Sequence, residues 1–68
     1  MNEPIGTLCF VTISEYDIPF VTYVAYRIPR NEAKVIALRE MLTTGHCQCL
    51  FLLRDGTLEL WHRSGLHA

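Results

Sequence analysis

The sequence predicts a small α+β domain in ββαββ order, with antiparallel hairpins forming a sheet packed on one helix. Three observations carry that expectation. Asp55-Gly56 stands between two runs of strand-forming residues, one of the strongest short-range hairpin signals. Residues 7–15 and 20–28 are rich in β-branched and aromatic side chains and are separated by a turn containing Pro19. Between the two hairpins lies a run of good helix formers, bounded by Asn31 and Gly45.

Taken in order, the first strand is expected over 7–15, with Leu8, Phe10, Thr12 and Ser14 on one face and Cys9, Val11 and Ile13 on the other. Tyr16-Asp17-Ile18-Pro19 forms the turn, and its tip is unusually apolar for a turn. The second strand follows over 20–28, again with bulky apolar groups on both faces, and Pro29 stops it. Asn31 is the expected N-cap of a helix over 32–44, with Glu32 in its first turn and Gly45 as the left-handed residue that ends it. Val35, Leu38 and Leu42, with Ala37 and Met41, form the expected buried stripe, and Ile36 falls outside it. Strands over 47–54 and 57–63 close the chain, followed by a polar tail that is expected to fray. A parallel pairing of the second and third strands, with the helix as crossover, is compatible with this order.

A two-residue type I′ turn at Asp55-Gly56 sets the register of the last hairpin. Leu50 then faces Trp61, and Cys49 faces His62. Cys47, Cys49, Phe51, Leu53, Leu58, Leu60 and His62 share a face that reads as core. Gln48, Leu50, Leu52, Arg54, Thr57, Glu59, Trp61 and Arg63 share the other. That second face carries Leu50, Leu52 and Trp61 together, which is more apolar surface than a solvated face needs.

Length and composition sharpen the point. The 68 residues form one domain, residues 1–68, and a chain this short is marginal unless something reinforces it. Half the residues are hydrophobic, so either packing is dense or part of that surface belongs against another chain. A helix of about 13 residues is roughly 20 Å long and covers part of one sheet face. A self-pair or a protein partner is expected to cover the other.

The formal net charge of −1 argues against a strongly cationic nucleic-acid binder and against an acidic mimic of one. Three cysteines cannot all pair within one chain, which fits a reducing, cytoplasmic setting. The first residues lack the basic start and apolar run of a secretion signal, and no apolar run is long enough for a membrane helix, so no membrane association is expected.

Cys47-x-Cys49, with His62 on the same expected face and Cys9 to complete the set, resembles a zinc donor group, and His46 is adjacent in sequence. The spacing is not CxxC, and the face is otherwise apolar, so buried inert thiols and no cofactor are expected. Cys49 opposite His62 could pair a nucleophile with a base, but on a core face without a substrate path. Catalytic residues are therefore expected to be none. Trp61 with Arg63, and Tyr23 and Tyr26 near Arg27, could stack on single-stranded nucleic acid, although Glu59 beside Trp61 would repel phosphate. The same residue types dominate protein interfaces. The expectation is a non-catalytic protein-binding module of the modulator or inhibitor type, homodimeric, with Trp61, Leu50, Leu52, Arg63, Tyr23 and Arg27 at its interface. A nucleic-acid binder is the alternative, and a small zinc domain the second.

Overall fold

Strand β1 (Ile5–Ile13) lies inside a four-stranded antiparallel sheet of order β2-β1-β3-β4, where β2 is Pro19–Pro29, β3 is Gln48–Leu53 and β4 is Leu58–His62. The computed structural model describes residues 3–66. Helix α1 (Arg30–Thr44) follows β2 directly and leads to β3. The ββαββ order and the α+β class are as the sequence predicts. Strands β2 and β3 are not neighbours: both pair antiparallel with β1, one on each side.

The sheet packs on α1 through one face only. The core contains Leu8 and Phe10 of β1, Cys49 and Phe51 of β3, Trp61 of β4, and Ala33, Ala37 and Met41 of α1. Three of these, Ala33, Ala37 and Met41, recur at four-residue spacing and so lie on one helix face. Two of them are alanines, which lets the helix sit close to the sheet. Ile36 and Leu38 pack at the margin, whereas Val35 and Leu42 are exposed. The expected stripe was thus rotated: α1 is apolar on several sides, and periodicity alone does not choose among them. At its start, Pro29 occupies the N-cap without a side-chain bond, and Asn31 instead accepts from the N–H of Glu32. The Arg30 N–H donates to the Pro4 carbonyl at 2.8 Å, which satisfies one donor that the helix leaves free. Gly45 ends the helix in the left-handed conformation, its N–H donating to the Met41 carbonyl.

The β3–β4 register differs from the expected one by a single residue. Cys49 faces Trp61, Leu50 faces Leu60 and Leu52 faces Leu58. Asp55 does not adopt the positive φ of a type I′ turn; only Gly56 does, at 93°. The N–H of Gly56 donates to the Leu53 carbonyl, and the N–H of Leu53 donates to the Thr57 carbonyl. Together these bonds close a three-residue loop with a left-handed glycine at its end. Asp55 accepts from the Thr57 N–H at 2.8 Å, a local bond that favours this loop and holds its carboxyl below the usual range.

A one-residue slip turns every side chain of β4 over relative to β3. Trp61, expected on the outer face, is 7% exposed and stacks on Phe51 at a ring separation of 4.8 Å. Leu58, Leu60 and His62, expected in the core, face outward. Tyr23 lies on the helix side, its ring edge against Phe10. The tail is also anchored: Arg63 donates to the Cys47 carbonyl, and Leu66 is buried in the core. Residues 67 and 68 of the expected frayed tail lie outside the described residues. Gly6 permits the closest approach in the sheet. A Cβ there would lie 2.5 Å from the Leu52 carbonyl oxygen and 2.7 Å from the Phe51 ring.

Trp61→Ala is expected to cost about 3–5 kcal/mol, most of the stability of so small a domain. Leu60→Ala in the isolated chain is expected to change it by no more than about 0.5 kcal/mol. Denaturant titration followed by circular dichroism measures both. The reverse order would restore the register expected from sequence.

Candidate interaction surface

The face turned away from α1 is built from the outward side chains of all four strands. The pairings place Val24, Cys9, Leu50 and Leu60 in one row across the whole sheet. Beside it run Thr7, Leu52 and Leu58. No element among the described residues covers either row. The centre of the face is half-buried by neighbouring strands, while its margins are open: Leu60 is 64% exposed and Leu58 and Tyr26 are comparably open. Contiguous apolar surface of this kind is uncommon on a soluble monomer.

Of the interface residues named from sequence, Leu50 and Leu52 stand on this face. Trp61 and Tyr23 do not, because both point to the helix. Arg63 begins a short 3₁₀ turn after β4 and is exposed. Arg27 sits where β2 bulges against β1, with φ of 54°, and is also exposed. Leu58 and Leu60 were missed on the outer face, since both were assigned to the core. The signal that could have found them is the Asp55 side chain, which can accept from the backbone N–H two residues on, at Thr57, and so supports a longer loop.

At one end of the face lies an open cleft of about 530 Å³ lined by Ile5, Gly6, Thr7, Tyr26, Arg27, Leu52, Leu53 and Arg54. Its lining is as polar as it is apolar, with an arginine from β2 and another from the β3–β4 loop. The one ion pair among the described residues lies elsewhere, between Arg30 and Glu59.

That pair belongs to the covered face. Arg30 Nε–H donates to Glu59 Oε1 at 2.9 Å, and Trp61 Nε1–H donates to the same oxygen at 3.0 Å. Burial pushes the Glu59 carboxyl up. The bonds from Trp61 and Arg30, with the positive charges of Arg30 and Lys34, outweigh it and hold the group below its ordinary value of 4.5. Glu59 therefore accepts the indole N–H and joins β4 to the start of α1.

The zinc set expected as an alternative does not assemble. Cys49 faces the core opposite Trp61, while His62 pairs with Gln48 and faces outward. Cys47 is exposed, and Cys9 lies on the outer face. Among the described residues no three metal-binding side chains converge. The same slip separates Cys49 from His62 as nucleophile and base. His62 Nδ1 instead bonds the Ser64 hydroxyl at 2.8 Å. The His46 ring nitrogens contact the Thr12 and Thr44 hydroxyls at 2.8 and 2.7 Å, so it ties the first hairpin to the end of α1. Burial first, and the neighbouring Cys9 second, push the Cys49 thiol up to about 11. Of the aromatic residues named for stacking on nucleic acid, Trp61 and Tyr23 lie on the helix side, whereas Tyr26 is exposed beside Arg27. Among the described residues, no helix is long and apolar enough to cross a membrane. Compared with family models, curated proteins and solved structures, the chain matches none.

Two outcomes follow from this geometry. A carboxyl held below its ordinary value in the fold stabilises at neutral pH, and that stability is lost as pH falls through the folded value. Glu59→Gln should flatten the loss of thermal stability below about pH 4.5, leaving a smaller slope from Asp55. An unchanged acid slope would remove Glu59 from the network. Thiol alkylation of the native protein near neutral pH should modify Cys47 first and leave Cys49 untouched until denaturant is added. Equal rates would place Cys49 outside the core.

Proposed function

We propose that this chain is a small, non-catalytic protein-binding module of the modulator or inhibitor type. It acts by burying the open face of its sheet against another polypeptide, either a second copy or a protein partner. The observation that carries this reading is the uncovered row Val24–Cys9–Leu50–Leu60, with Leu52 and Leu58 beside it. Burying apolar area is worth about 25 cal/mol per Å², so closing this face supplies association energy without any catalytic group. The compartment proposed is the reducing cytoplasm, in keeping with cysteines that remain free at positions 9, 47 and 49. Arg27, at the edge of the face, contributes charge to the contact. Leu58 and Leu60 take the interface place that the sequence assigned to Trp61.

The test is a double variant, Leu58→Lys with Leu60→Lys. Both side chains point to solvent in the single chain, so the variant should keep the wild-type circular dichroism spectrum. It should lose association, read as solution mass by light scattering for the purified protein and as capture from extract. A wild-type chain that runs as a free single molecule in both settings overturns the reading.

A further inference from the structure

The first hairpin is longer than the sheet that supports it. β1 pairs with β3 only from Gly6 to Cys9, whereas β1 and β2 remain paired to Ile13 and Pro19. The Thr12–His46 contact is the outermost link found between the hairpin and the rest of the fold. Beyond it projects an arm that exposes Ile13, Tyr16, Ile18 and Phe20. The arm stretches the molecule to 44 × 25 × 16 Å, with a radius of gyration of 12.0 Å. A compact chain of this length has one of about 11 Å.

The tip of the arm is closed by its own hydrogen bonds. Ser14 Oγ accepts from the N–H groups of Tyr16 and Ile18, and the Ser14 N–H donates to the Ile18 carbonyl at 3.0 Å. The turn therefore presents Tyr16, 77% exposed, and Ile18, 59% exposed, alternating in sequence with the acidic residues Glu15 and Asp17. At the opposite end of the same hairpin lies the cleft whose lining includes Arg27 and Arg54 together with Ile5, Tyr26 and Leu52. The arm tip carries two carboxylates, and the cleft lining carries two arginines, with Asp55 next to Arg54.

From this we infer that the open face pairs with a second copy of this chain, antiparallel, and that the tip of each arm seats in the Arg27–Arg54 cleft of the other. The inference rests on the reading of the open face as an interface. A two-fold axis between the sheets and perpendicular to the strands lays β1 over β1 in opposite directions. It carries each acidic tip to the other copy's basic cleft, and the contact is made twice because the operation is its own inverse. Tyr16 and Ile18 then meet the cleft floor, while Glu15 and Asp17 meet the arginines. Four strands about 4.8 Å apart and from about 17 to about 36 Å long present roughly 500 Å² per copy, or roughly 1,000 Å² per dimer with the arms included. That reaches the lower limit of a specific interface. The charges would fix direction and register, since a parallel pairing would bring acid to acid and base to base.

Two charge-reversed chains test the arrangement by sedimentation over a concentration series. One carries Arg27→Glu with Arg54→Glu. The other carries Glu15→Arg with Asp17→Asn, asparagine being chosen because position 17 has φ of 61°. Wild type is expected as a dimer that loosens with added salt. Each variant alone should self-associate at least tenfold more weakly, and an equimolar mixture should recover the dimer. If either reversed chain fails to fold, Glu15→Gln with Asp17→Asn replaces it, expected to weaken the dimer and reduce its salt dependence. Variants that dimerise like wild type, or a mixture that stays monomeric, overturn the arrangement. If Leu58→Lys with Leu60→Lys still dissociates the dimer in that case, the open face stands and only the antiparallel seating fails. A dimer that survives every variant overturns both. A wild-type chain that is single when pure yet captured by a partner in extract overturns the second copy alone.

Discussion

The register of the β3–β4 hairpin is the constraint on which the rest of this molecule depends. With Cys49 opposite Trp61, the indole lies on Phe51 under the helix, and its N–H reaches Glu59. Glu59 in turn holds Arg30 at the first position of α1. A single carboxylate oxygen thus links strand, indole and helix start. Placing His62 and two leucines inward instead would bury an imidazole with no partner in the core and leave the largest apolar ring in water.

The fold has two layers and few large core residues. One helix presents Ala33, Ala37 and Met41 to a four-stranded sheet, and the small residues bring the layers close. Economy on that side leaves the other side bare. Every strand carries apolar groups outward, because alternation in a sheet sends half of any apolar run to each face. A sheet apolar on both faces is ordinary where both faces are covered. Here one cover is α1, and the proposal is that the other comes from a second chain.

The scattered cysteines and histidines follow from the same register. Residues that the sequence set together as donors are divided between two faces, and each acquires a local role. Cys49 fills core, His62 bonds Ser64, and His46 pins the hairpin to the helix end. The arginines at the cleft and the acids at the arm tip have no such role within the chain. In the proposed pairing they set its direction.

Element order and type were legible in the sequence, because propensity, Pro29, Gly45 and the Asp55-Gly56 turn act over a few residues. The surplus of apolar strand surface was legible for the same reason: it is a matter of composition and alternation. The turn class was not, since Asp-Gly serves both a two-residue and a three-residue loop, and the choice moves every side chain of β4 to the opposite face. Nor was the buried side of α1, where Val35, Ile36, Leu38 and Leu42 offered competing stripes. Tertiary packing decided both at once. Trp61 stacks on Phe51 and shares one core with Ala33, Ala37 and Met41, and that packing is a property of surfaces in contact, which no single stretch of sequence contains.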